Sequence, residues 1–134
     1  MSSTYEHLLT PQLLDSRLKL HMVLQFLAYP QLTVSSSGLS ERLRESPWEI
    51  AEAFEELAAC GLLQRIAGDG PAHYRLGVLI EHQELLNMLV EAFNDPFKRD
   101  QIYTRVREAQ HERRFYAWLA TDARAGSMSG LVIS

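Results

Sequence analysis

The chain has 134 residues, enough for one ordinary domain with an extension, and its 46% hydrophobic and 22% charged residues describe a globular protein and exclude a disordered one. A single cysteine, Cys60, excludes an internal disulfide framework, and no stretch is long and apolar enough to suggest a bilayer span, so no membrane role is expected. The net charge of −4 is uneven: residues 1–96 carry 6 Lys/Arg against 13 Asp/Glu, whereas residues 97–134 carry 7 against 4, an acidic body with a basic C-terminal segment.

In chain order, Thr10-Pro11 reads as a helix cap followed by a proline in the first helical position, where its missing N–H does no harm. The pattern predicts a helix over Pro11–Ala28. Its apolar residues, among them Leu13, Leu14, Leu18, Leu20, Met22, Val23, Phe26 and Leu27, surround much of its circumference, as in a helix covered on two sides, one by its own domain and the other as a candidate subunit interface. Residues 31–38 (QLTVSSSG) suit a loop or short extended segment. A helix over Ser37–Glu45 follows, with Leu39 and Leu43 facing inward.

Ser46-Pro47-Trp48-Glu49 has the layout of a capping box, with proline first and glutamate third. Behind it Ile50, Ala53, Phe54 and Leu57 repeat at the helical period, and Gly61 provides the left-handed stop. Two short strands around residues 62–66 and 73–76, joined by Gly68-Asp69-Gly70-Pro71, predict a hairpin. Two further helices are expected, over Val78–Asn94 and Phe97–Arg124, separated by Asp95-Pro96. The domain reading is an N-terminal helix with a winged region over 1–77, a helical dimerisation region over 78–125, and a flexible Gly/Ser-rich tail over 126–134.

The segment LSERLRESPWEIAEAFEELAACGLLQRIAGDGPAHYRL, Leu39 to Leu76, resembles the winged helix-turn-helix superfamily, most of all bacterial transcriptional regulators of the MarR, ArsR and PadR type. Ser46, Ile50, Phe54, Leu57, Gly61-Leu62-Leu63 and Tyr74-Arg75-Leu76 carry the resemblance. It implies a mainly α fold with a small β-hairpin and flanking dimerisation helices, acting as a DNA-binding homodimer. It places Ser46, Trp48 and Glu52 on the helix that enters the major groove. Arg65, His73 and Arg75 fall on the wing, and Arg42 and Arg44 lie just before the helix.

The same helix carries Glu49, Glu52, Glu55 and Glu56 and no basic residue, and residues 35–76 hold 4 Arg against 7 Asp/Glu. Glutamate can accept from cytosine but does not attract phosphate. Two partners therefore stay open: duplex DNA, or a protein partner docked on an acidic helix that reads no DNA. Glutamates four apart repel one another. Arg42, Arg44 or the basic C-terminal helix could relieve them.

Arg113-Arg114 and Lys98-Arg99 are DNA clamps or partners for the acidic body. Tyr103, Phe115, Tyr116 and Trp118 could line an effector pocket, but their spacing favours core or interface packing. No catalytic constellation, phosphate-cradling loop or metal-ligand spacing of the five histidines is visible, so neither enzyme activity nor a cofactor is expected. Cys60 has no basic neighbour in sequence to activate it. The first residues lack a secretory pattern, and a cytoplasmic location is the default expectation.

Overall fold

The computed structural model describes residues 5–77 and 80–133, and side chains within them except those of 80–82 and 121–133. A 3₁₀ turn at Tyr5–Leu8 precedes α1 (Arg17–Ala28), β1 (Val34–Ser35), α2 (Ser36–Leu43), α3 (Pro47–Ala59), β2 (Leu63–Ile66), β3 (His73–Leu76), α4 (Ile80–Phe93) and α5 (Pro96–Ile133). Helix, strand, helix, helix, strand, strand is the order of a winged helix-turn-helix. The three strands form one antiparallel sheet in the order β1–β3–β2. Val34 pairs with Tyr74, and Arg65 pairs with Tyr74 from the other side.

The first helix starts six residues later than Thr10-Pro11 suggests. Thr10 closes a turn by accepting from Leu13 N–H at 3.1 Å, and Leu14 N–H donates back to the Leu8 carbonyl at 2.9 Å. Both bonds divert the backbone from a helix. Ser16 is the true cap: its backbone is extended and its hydroxyl accepts from Lys19 N–H at 3.1 Å. The turn that results buries Leu8, Leu9 and Leu14.

Helix α2 is capped by Ser35, whose hydroxyl accepts from Gly38 N–H, and ends at Arg44 in the left-handed conformation (φ 56°). The capping box expected at α3 is half present. Pro47 takes the first position, but the Ser46 side chain makes no capping bond. Ile50, Ala53, Phe54 and Leu57 are buried as their period requires, and Gly61 takes φ 87° where the chain leaves α3. At α5 the Asp95 carboxylate accepts from the N–H of Phe97 and Lys98. The helix runs through Ile133, past the expected end at Arg124 and through the segment read as a flexible tail. Isolated glycines such as Gly126 and Gly130 each cost a helix only about 1 kcal/mol against alanine and do not by themselves end it.

One hydrophobic cluster joins the parts: Phe26 of α1, Phe54 of α3, Tyr74 of β3, Leu86 and Leu89 of α4, and Ile102 and Val106 of α5 all belong to it. Cover of α1 comes from within the chain, from α3, β3, α4 and α5.

Candidate nucleic-acid interface

Helix α3 has three distinct faces. Its core stripe is the buried set just named. Opposite it, Trp48, Glu52 and Glu55 stand at i, i+4 and i+7, one above the other, and all three are exposed, Trp48 to 84%. Along one flank, Glu49, Glu52 and Glu56, with Glu45 just before the helix, line a groove of about 590 Å³ whose other walls are α1 and α5.

The residues expected at a DNA surface do not all share one face. Ser46 is exposed at the start of α3 with Trp48. Arg44 is exposed at the turn between α2 and α3, which is pinned by Ser40: its hydroxyl donates to the Glu45 carbonyl. Arg42 leans away, its guanidinium 5.4 Å from the ring centre of Tyr29 at the end of α1. On the wing, side chains alternate between faces. Arg65 lies opposite Tyr74 and so shares the face on which Tyr74 stacks against Phe54 of α3. His73 and Arg75 take the other face, where Arg75 Nε donates to Gln64 Oε1 at 3.0 Å and His73 Nδ1 lies 3.0 Å from the Pro71 carbonyl.

One glutamate of the groove, Glu56, meets cations. Asp15, Lys19, Glu56 and Arg113 form a closed ring of ion pairs. Lys19 Nζ lies 2.8 Å from both Asp15 Oδ1 and Glu56 Oε1, and Arg113 closes the ring at 2.8 Å to Asp15 Oδ2 and 2.7 Å to Glu56 Oε1. The Asp15 side chain is 1% exposed and that of Lys19 6%, so two charges are held away from water by their partners. Burial alone would raise the Glu56 pKa, but hydrogen bonds and charge from Lys19 and Arg113 outweigh it and hold the carboxyl below its ordinary range. The Glu56 and Asp15 carboxylates in turn raise the Arg113 pKa further. Such a ring adds little net stability by itself, but deleting one member strands a buried charge.

Sequence reasoning named Glu56 and Arg113 without pairing them, and it missed Asp15 and Lys19. The available signal was the excess of glutamate on one helix and of arginine on another. Glu49, Glu52 and Glu55 make no ion pair among the described residues.

A second polar clasp joins α1 to α5. His21 Nε2 and the Tyr103 hydroxyl share a hydrogen bond of 2.7 Å, and Arg17 stacks 4.6 Å from the Tyr103 ring centre. Burial lowers the His21 pKa, helped by the charge of Arg17 and opposed by Glu45. Tyr103 thus packs in the body, whereas Phe115, Tyr116, Trp118 and Leu119, farther along α5, are exposed by 41–59%.

The Cys60 thiol is half-buried and donates to the Leu57 carbonyl at 3.3 Å. Among the described residues no cluster of His, Cys, Asp and Glu could hold a metal, and no helix is long and apolar enough to cross a membrane.

No protein-family model matches the chain, and neither does any curated protein sequence. Among solved structures it is similar to a "possible transcriptional regulator" from Methanosarcina mazei Go1, with a TM-score of 0.46 and 18% identity over 64% of this chain and 76% of that one. The winged-helix arrangement rests on the order and pairing of the elements described above.

Proposed function

We propose that this chain is a cytoplasmic transcriptional regulator that binds duplex DNA as a homodimer, acting by binding and not by catalysis. The observation that carries this reading is the exposed outer face of α3, with Trp48, Glu52 and Glu55, which follows the exposed Arg44 at the helix-turn-helix corner. Ser46 and Trp48 would approach the bases, and Glu52 can accept from cytosine N4. Arg44 and Arg65, with His73 and Arg75 on the other face of the wing and Arg42 near the end of α1, would supply the attraction to phosphate. Part of the acidity of α3 is compensated internally, because Glu56 is paired with Lys19 and Arg113. The exposed aromatic cluster of α5 is the candidate dimer surface. Two recognition helices would then read half-sites about 34 Å apart.

A second reading has its own observation. Trp48 with Glu52 and Glu55, all exposed and without ion pairs among the described residues, fits a basic protein segment: the ring offers a cation–π face and the carboxylates offer charge-assisted hydrogen bonds. Fluorescence anisotropy separates the two. The duplexes would be the upstream region of the protein's own gene and a scrambled control, each across a salt series. Sequence-selective binding that weakens with salt, lost in Arg44→Glu with Arg65→Glu, is the expected result. No binding at low salt would overturn the DNA reading and leave the protein partner.

A further inference from the structure

We propose that the Asp15–Lys19–Glu56–Arg113 ring is a coupling latch, which fixes α5 in one rotational setting against α3 and passes a load on the distal half of α5 to the outer face of α3. This goes beyond the DNA reading and holds whichever macromolecule α3 meets.

Up to Ala109, α5 is held mainly by apolar packing of Ile102, Val106 and Ala109. The hydrophobic effect is non-directional, so a charge-assisted hydrogen bond specifies the rotational setting of a helix more sharply. Polar contacts with the body are directional, beginning with the bond that Arg99 Nε donates to the Phe93 carbonyl at 2.8 Å. Tyr103 meets His21, and Arg113, ten residues and about 15 Å farther on, meets Asp15 and Glu56. In that turn Arg113 makes the ion pairs to Asp15 and Glu56. Arg114 lies about 100° around the helix and makes no ion pair among the described residues. Asp15 is nearly dry, so α5 cannot turn away without leaving it a cation short.

The ring also sits between the two working surfaces. Phe115, Tyr116 and Trp118 begin two residues beyond Arg113 on α5. Glu56 lies one turn beyond Glu52 on α3, and Glu52 one turn beyond Trp48. Whatever covers the aromatics therefore acts on a helix tied, through one guanidinium, to the helix that carries Trp48.

The test is a distance measurement by electron paramagnetic resonance on the full chain. Spin labels would be placed at Ala59→Cys and Ala120→Cys in a Cys60→Ser background, diluted with unlabelled protein so that only distances within one chain are read. One narrow distribution is expected for the parent. Arg113→Gln should broaden or shift it, and Glu56→Gln, which cuts only the limb to α3, should do so too. Arg105→Gln breaks ion pairs within α5 itself, to Glu108 and Glu112, and should leave it unchanged. Circular dichroism would establish that each variant is folded; should Arg113→Gln fail to fold, Glu56→Gln decides. An unchanged distribution in folded Arg113→Gln would overturn the latch. So would a change in Arg113→Gln without one in Glu56→Gln, since the ring would then merely fasten α5 to α1.

Discussion

Phe54 of α3 and Tyr74 of β3 stack nearly parallel, with ring centres 4.1 Å apart and planes 11° apart. This contact fastens the wing to α3, and Phe26 of α1 meets Phe54 edge-on behind it at 6.2 Å. Phe54→Ala should cost about 3–5 kcal/mol in urea unfolding, because Phe54 is fully buried. A double-mutant cycle with Tyr74→Leu should return a coupling of about 0.5–1.5 kcal/mol. Additivity would mean that the rings merely adjoin.

His21 and Glu56 make stability depend on acid in two windows. The His21 pKa is lower in the fold than in the unfolded chain, so its contribution is complete above the ordinary value of about 6.5 and is lost as pH falls below it. Glu56, also lowered, contributes above the ordinary carboxylate range and loses that contribution only at more acid pH. Melting temperature should therefore decline on acidification in two stages. His21→Asn should flatten the upper stage alone; an unaltered upper slope would assign that stage to another group.

The two serine caps should behave differently. Ser16→Ala removes a real capping bond and should cost about 1 kcal/mol. Ser46→Ala removes none and should stay within about 0.5 kcal/mol. Equal losses in chemical denaturation would restore the full capping box at α3.

Trp48 offers a clean separation of binding from folding. At 84% exposure, Trp48→Ala should change stability by no more than about 0.5 kcal/mol. It should still weaken binding of duplex DNA in anisotropy titrations. Full retention of affinity would remove Trp48 from the interface.

Gly77 lies against the end of α3. A Cβ there would sit 2.5 Å from the Gly61 carbonyl oxygen, and Gly77 N–H donates to the Leu62 carbonyl at 2.9 Å. The obstruction is backbone and cannot swing aside, so Gly77→Ala should destabilise by about 1–3 kcal/mol in thermal unfolding. A neutral effect would mean that the wing base can open.

The parts that could be read from sequence are those whose cause is local. Ile50, Ala53, Phe54 and Leu57 share a helical period, Gly61 is needed for a positive φ, and Gly68-Asp69-Gly70-Pro71 can hardly be anything but a turn. The start of α1 was not legible, because Thr10-Pro11 has the local chemistry of a cap, whereas the structure caps the helix at Ser16. The choice falls to Ser16 once Leu8, Leu9 and Leu14 are buried in a turn, which is a tertiary effect. The ring was legible only as an imbalance. Arg113 and Asp15 are 98 residues apart, and charge counts do not say which arginine meets which carboxylate. The faces of the wing were hidden too, since the separation of Arg65 from His73 and Arg75 depends on register.

The strand order has one more effect. With β1 and β2 on either side of β3, the far side of β2 is an open edge with backbone groups ready to pair with another chain. That edge is only four residues long and carries exposed Gln64 and Arg65. A charged side chain on a short edge discourages a foreign strand from adding to it. Arg65 is thus a guard against aggregation as well as a candidate contact, and replacing it with an apolar residue would expose the sheet to self-association even where nucleic acid plays no part.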